Sequence, residues 1–314
     1  MARTALVYHP GFLEHDSGLD HPERPERLVA IMDRLDQEGL LGQCIRLTPA
    51  EASVEAIGRV HTRQHIDYIA ELSGLGWPVA ETPDTLVSPG TYRAARLAAG
   101  AALQAVDAVL TGRADNAFCV LRPPGHHAET DRAMGFCYFN NVAVAARHLV
   151  TVHGLRRVAI VDWDVHHPNG TQHAFEEDPA VLVFSIHQFS PGFFPGTGAA
   201  EERGRATGTI LNVPRAPGQT DADYLKVFRE VLRPAVDAFA PEFILVSAGF
   251  DAHQADPLAS MELTEAGFAE LTREVVALAS DHCRGRLVSV LEGGYDLESL
   301  AASTAAHLRV LMEA

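Results

Sequence analysis

Cysteine is scarce in this chain: Cys44, Cys119, Cys137 and Cys283 are scattered, with no CxxC spacing. A disulfide framework or a Cys-rich zinc site is therefore not expected, and reduced thiols are the default. Apolar runs are short, none reaching the length of a membrane span. The stretch from Met1 to Pro10 also lacks the basic start and long apolar core of a secretory leader, so the cytoplasm is the expected location and a membrane is not an expected partner. Basic side chains are outnumbered, 25 against 41 acidic ones, for a formal net charge of -16. Such a balance disfavours stable binding to nucleic acid, whose affinity rests on clustered Lys and Arg. A cationic substrate would be welcomed, although excess acid also simply keeps a protein dispersed. A GxSxG elbow is missing, which argues against covalent acyl-enzyme chemistry. Repeats, low-complexity segments and linkers are lacking too, so one domain over residues 1–314 is the expectation; assembly into a homo-oligomer stays open.

What is present centres on Arg157 to Gln172, RVAIVDWDVHHPNGTQ. Val158, Ala159, Ile160 and Val161 suit a buried parallel strand, which breaks abruptly into polarity. Asp162, Asp164 and His166 alternate, so an extended chain would send all three side chains to one face. Pro168, Asn169 and Gly170 then turn the chain away, leaving these groups at a strand's carboxyl end, where open α/β sheets place their sites. A bland reading, in which the acids cap the next helix and His166 and His167 pack, fits two acids and two histidines within six residues poorly.

Taken in order, Ala5 to Tyr8 reads as a strand, followed by a loop ending in HPERPERL, His21 to Leu28. Leu28, Ile31, Met32 and Leu35 recur at helical spacing up to Gly39. Arg24 and Arg27 are read as surface charges or loop anchors. Helices are expected at His65 to Leu72 and Thr91 to Leu110, with an exposed loop from Leu75 to Gly90 between them. Ala117 to Leu121 is a strand ending in RPPGHHA, a rigid turn that presents His126 and His127 together, with GFCYFNN close behind and a helix from Val142. Val181 to Ile186 leads to His187 and the loop SPGFFPGTG with its adjacent Phe193 and Phe194. A short strand at Leu211 to Val213 precedes a helix from Thr220 to Phe239, started by a capping signal at Thr220 and Asp223. The strand Phe243 to Ser247 ends in AGFDAHQADPL, which carries Asp251. A helix over Thr264 to His282, the strand Leu287 to Leu291 with EGGYDL and Tyr295 after it, and a helix from Glu298 to Met312 complete the chain.

Strands alternating with helices predict a central, mostly parallel sheet with helices on both faces. In such a sheet His126, His127, Asp162, Asp164, His166, Asp251 and Tyr295 share one edge. That inventory is a zinc hydrolase's. Asp164, His166 and Asp251 would hold the ion and leave a position for water, His127 would move protons, and Tyr295 would donate to an oxyanion.

RPPGHHA, GFCYFNN, DWDVHHPNGTQ, VSAGFDAHQADPL and LEGGYDL resemble, in order and across nearly the whole chain, the signatures of the histone deacetylase superfamily. The resemblance implies the arginase-deacetylase-like α/β fold, one catalytic zinc ion and hydrolysis of N-acyl amides, typically acetyl-lysine or a related small acylated amine. It also implies that Asp162 orients His126 and, with Asp164, His166, Ser185 and Ile186 through backbone or side-chain oxygens, surrounds a structural potassium ion. Phe136 and Phe194, with Gly135 behind them, would wall a tunnel for the substrate's alkyl chain. Three departures bear on substrate. Pro168 replaces a common Gly. Gly90 stands where protein deacetylases often carry a Ser. Leu258 occupies a gatekeeper position that is acidic in a polyamine-selective relative, and a Leu cannot pair with an ammonium, which favours acyl-lysine over acetylpolyamine. A binuclear manganese ureohydrolase would need further bridging Asp ligands, and a reader without turnover would have no use for both His127 and Tyr295.

Overall fold

Apolar, largely β-branched segments pair into one sheet in a computed structural model that describes residues 2–76, 79–80, 82–205 and 208–314. Its strands are β1 (Thr4–Val7), β2 (Ile45–Leu47), β3 (Asn116–Cys119), β4 (Val158–Asp162), β5 (Val181–Gln188), β6 (Ile210–Arg215), β7 (Phe243–Ala248) and β8 (Leu287–Leu291). They lie in the order β2-β1-β3-β8-β7-β4-β5-β6, and every pairing is parallel. Each residue of β1, β3, β4, β5, β7 and β8 is buried, which only helices packed over both faces can achieve.

The register levels the strand ends. Asp162 pairs with Ser185 on one side and Ser247 on the other, and Ser247 pairs with Val290. Whatever follows β4, β7 and β8 therefore emerges at one height on the same edge.

Local chemistry sets the helix starts. Thr62, Asn140, Thr264 and Asp296 each accept a first-turn N–H through the side chain, satisfying donors that would otherwise be orphaned. The Thr220–Asp223 capping box is present, but the helix it opens is broken by a π-turn at Phe228–Leu232 before resuming at Arg233–Phe239. The helices Thr91–Leu110 and Glu265–Cys283 match expectation closely.

Two expectations need correcting. Arg27 is a wholly buried side chain rather than a surface charge. The segment from Leu75 to Gly90 is not simply an exposed loop, because Thr85, Val87 and Ser88 are buried in it; residues 77, 78 and 81 lie outside the described part. Strand β2, too short to carry an alternating pattern, had no signal in the sequence.

One close approach inside a helix is decisive for packing. A Cβ on Gly100, within Thr91–Leu110, would come 1.9 Å from the Ala50 carbonyl oxygen, because residues 50–52 run along that helix and are tied to Arg96 through Ala52. Gly→Ala in an open helix stabilises by about 1 kcal/mol. Here Gly100→Ala should instead cost about 1–3 kcal/mol through overpacking, read from urea unfolding; an unchanged or raised midpoint would refute the close contact.

Candidate metal and catalytic centre

The turn after β3 is held from beneath by Glu292, which follows β8. Its Oε2 accepts the N–H of Gly125 at 2.7 Å and of His126 at 3.2 Å, so both histidines project from a fixed backbone. His126 Nδ1 meets Asp162 Oδ2 at 3.0 Å, and the other oxygen of Asp162 accepts the Asp164 N–H at 3.0 Å. His127 Nδ1 meets Asn169 Oδ1 at 2.8 Å, and Asn169 Nδ2 donates to Glu129 Oε1 at 2.5 Å. Pro168 stands at the start of the helix Asn169–Phe175 and delivers Asn169 to this contact.

The ligand stretch is not an extension of β4, as its alternation suggested. The strand ends at Asp162, and Asp164 Oδ1 accepts the His166 N–H at 2.9 Å, so Asp164 and His166 converge through a turn. Asp251, after β7, ties in by accepting the Val165 N–H at 2.9 Å.

These residues fit a divalent ion on the structure's own terms. Ligand atoms of Asp164, His166 and Asp251 all lie within 4.8 Å of one another, and all three residues are buried. Among the described residues, Asp251 Oδ2 has no hydrogen-bond partner, although His166 Nδ1 lies 3.2 Å away. A buried carboxylate oxygen left in that state is costly unless a cation faces it. The backbone makes room: a Cβ on Gly293 would sit 2.1 Å from Asp251 Oδ2, and one on Gly249 would sit 2.2 Å from Asp164 Oδ2.

Electrostatics point the same way. Burial opposes a charged His166, yet the adjacent carboxylates of Asp164 and Asp251 outweigh it and push the ring up to about 10. His126, against the same opposition, is pushed up to about 10 by Asp164 and Asp162. The carboxylates thus draw positive charge to this spot, a demand that a dication meets in place of protons. His127 goes the opposite way. Burial, reinforced by His126 and His166, holds it well below the ordinary imidazole range, so it is neutral and able to accept a proton.

A cavity of about 300 Å³ opens onto the cluster, lined by Phe136, Phe194, Leu258, Tyr295, Gly135 and Asp84 among others. Phe194 meets His127 edge to face at 4.9 Å, and Phe136 meets Tyr295 at 5.9 Å. Gly135 is required, because it adopts φ +55 and a Cβ there would lie 2.6 Å from His127 Cδ2. Burial keeps the Tyr295 phenol protonated, well above its usual range. Asp256 positions both sides of the mouth, its carboxylate accepting the N–H of Tyr295 at 2.7 Å and of Leu258 at 3.0 Å.

Several of these residues escaped sequence reasoning. Phe193 stacks on His166 at 5.1 Å, and Asp84 reaches the cavity from the segment read only as a loop. Gly90, compared above with a substrate-binding Ser, sits at the start of a helix with its Cβ position 2.0 Å from the Glu14 carbonyl oxygen, so no side chain fits there. Arg27 is the largest omission. Its Nε donates to the Gly294 carbonyl and its Nη2 to the Glu292 carbonyl, both at 2.6 Å, and its guanidinium lies 5.0 Å from the Tyr295 ring centroid. Glu23 is buried between Arg27 and Arg122 at 3.1 and 2.8 Å and pairs with both; burial resists its ionisation, but Arg122, His15 and Arg27 hold it well below the usual carboxylate range. HPERPERL carries two members of this network, Glu23 and Arg27, but only the folded chain shows what they clamp.

An all-parallel eight-stranded sheet with acids and imidazoles gathered at its strand ends defines an arginase-deacetylase-type α/β protein. Within that type the chain belongs to the histone deacetylase family, whose domain model, described as histone deacetylase domain, matches residues 21–311. It is 43% identical over 94% of its length to a probable deacetylase of Archaeoglobus fulgidus, covering 82% of that protein. It is 44% identical over 98% of its length to the polyamine deacetylase HDAC10 of Homo sapiens, of which it spans 48%. The crystal structure of the HDA15 HD domain superposes with a TM-score of 0.95 at 41% identity, covering 99% of this chain and 88% of that one. Among the described residues no helix is long and apolar enough to cross a membrane.

The Arg27 clamp yields a specific expectation. Arg27→Met keeps the stem's volume but leaves two buried carbonyls and part of Glu23 unpaired, and should cost about 3–5 kcal/mol of stability. Displacement of the Tyr295 loop should lower kcat on an acylated amine more than it raises KM; wild-type kcat with wild-type unfolding would show that the clamp holds nothing in place.

Proposed function

We propose that the chain, acting as one deacetylase unit over residues 1–314, hydrolyses the amide of an acylated lysine side chain or a similar monoacylated amine. The reading rests on one convergence. Asp164, His166 and Asp251 lie with neutral His127 and protonated Tyr295 at the base of a cavity walled by Phe136 and Phe194.

A zinc ion held by Asp164, His166 and Asp251 would supply Lewis acidity and a water acidic enough to ionise near neutral pH. His127 accepts the attacking water's proton at Nε2 while its Nδ1–H donates to Asn169 Oδ1, which fixes the tautomer. That proton then passes to the departing amine. Tyr295 donates its phenol hydrogen to the oxygen of the scissile carbonyl as negative charge develops there. His126, held by Asp162, contributes positive charge beside the reacting group without needing to lose its proton. The aromatic walls bury a methylene chain and orient its amide toward the base. The potassium ion implied by the family resemblance would sit beside Asp162, Ser185 and Ile186. Each Asp162 oxygen and Ser185 Oγ makes one hydrogen-bond contact and keeps a lone pair to offer a cation, so these oxygens and nearby main-chain carbonyls would hold it; no chemical step passes through it.

A second reading, hydrolysis of acetylpolyamines, draws support from the similarity to a polyamine deacetylase and from Asp84 at the cavity. Leu258 favours the first, since it offers a distant ammonium nothing to pair with.

Turnover on acetyl-lysine peptides should exceed that on acetylputrescine and acetylspermidine, and a reversed order would install the polyamine reading. Removing metal by chelation should abolish activity, and one tightly held zinc per chain should restore it. Tyr295→Phe should lower kcat by about 100-fold or more, the scale of a lost oxyanion donor, with little change in unfolding midpoint; wild-type kcat in that variant would remove Tyr295 from the mechanism. Leu258→Glu should raise relative kcat/KM for acetylspermidine about tenfold, equivalent to about 1.4 kcal/mol. An unchanged ratio would deny Leu258 a role in selection.

A further inference from the structure

The helices Thr91–Leu110 and Asn141–Thr151, with the turn after the second, bring together Asp107, His148 and His153, none of which lines the cavity above the catalytic cluster. His148 Nε2 lies 2.9 Å and His153 Nε2 2.7 Å from the same oxygen, Asp107 Oδ1, and the two nitrogens are 3.2 Å apart. No placement of protons satisfies all three contacts. If both nitrogens carry hydrogen and donate to Oδ1, the two donors are crowded side by side at 3.2 Å with no bond between them. If either gives up its hydrogen, a bare lone pair faces a carboxylate at hydrogen-bond distance. A cation among the three atoms turns each of these lone pairs into a ligand. One carboxylate oxygen and two imidazole nitrogens form a donor set suited to zinc and its neighbours rather than to magnesium or calcium.

From this frustration we infer that Asp107, His148 and His153 form a second, exchangeable site for a zinc-class divalent ion, independent of the catalytic cluster. The trio is open enough to load. Side-chain exposures are 47% for Asp107, 14% for His148 and 29% for His153, and a cavity of about 380 Å³ lies beside Asp107 and His148. Water completes the coordination, so the ion is held less tightly than one enclosed by buried ligands. Loading has one local consequence. Arg59 Nη1 stands 3.4 Å from His148 Nδ1 and can only donate, whereas His148 bound through Nε2 carries its hydrogen on Nδ1. Arg59 therefore turns toward Glu55, already its partner at 3.2 Å. The bound ion pins the carboxyl end of Asn141–Thr151, where His148 lies and beyond which His153 follows, to the last turn of Thr91–Leu110.

Equilibrium dialysis of the zinc-loaded enzyme against increasing zinc tests the inference. Wild type should take up a second, weaker equivalent, and its Tm should rise with zinc as that site fills. His153→Ala, outside the helix and away from the cavity, and Asp107→Asn should each weaken the second equivalent by at least about tenfold, as even an outer-shell loss does. Both should keep the first equivalent, wild-type deacylation and a wild-type circular dichroism spectrum. Asp251→Asn should show the converse, losing the tight ion and keeping the weak one. Wild type that stops at one equivalent, or a second equivalent that survives in both His153→Ala and Asp107→Asn, would overturn the site.

Discussion

Two carboxylates, Asp164 and Asp251, are buried side by side around one imidazole, and much of the structure can be understood as making that arrangement bearable. Moving a single ion of this size into a medium of low dielectric costs on the order of 20 kcal/mol before relaxation, so two anions together demand positive charge and directed N–H groups. The chain supplies both. Main-chain N–H groups of Val165, His166 and Gly293 point at these oxygens, and Gly249 and Gly293 let the backbone come close enough to do so. A parallel sheet is the framework that makes this possible, since the ends of β4, β7 and β8 arrive at one level without any of the connections crossing the site.

The same field separates two neighbouring histidines. His126 lies against Asp162 and Asp164 and is drawn toward the cationic form, whereas His127, one residue on, meets the neutral amide of Asn169 at Nδ1 and is kept uncharged by burial, by His126 and by His166. Adjacent groups whose affinities for a proton are driven apart in this way suit different tasks in one reaction. Glu129 and His173 extend the contact outward from Asn169 to the surface, at 2.5 Å and 2.8 Å. The orientation of His127 is thereby fixed by a line of polar groups rather than by a single neighbour.

Much of this was legible in the residues. The break from Val158–Val161 into acids, the rigid turn before His126 and His127, and the double glycine before Tyr295 each mark a strand end by local chemistry alone, and each is where the fold places it. What stayed hidden was whatever depends on a partner far away in the chain. Arg27 looks like any solvated charge on a helix, because nothing nearby shows that it reaches the carbonyls of Glu292 and Gly294. Glu292 reads as the polar end of a strand, although it carries the turn that presents both histidines. Asp84 lay in a segment without periodicity, and Gly90 drew notice through a resemblance that its packing against Glu14 does not support. Alternation suggested an extended path from Asp162 to His166, where the hydrogen bond from His166 N–H to Asp164 makes a turn.

The sheet order has a bearing on how its edges are closed. β8, the last of the described strands, lies between β3 and β7, so within the sheet it joins the half built from β1, β2 and β3 to the half built from β4 through β7. Without β8 each half would present a bare, apolar inner edge of the kind that invites pairing with other chains. Leu287–Leu291 fills that gap and removes both edges, and the same strand carries Glu292, Gly293 and Tyr295 to the ligands. Completing the sheet and completing the ring of groups around Asp164 and Asp251 are thus one insertion, made by the strand that follows every other described strand in the sequence.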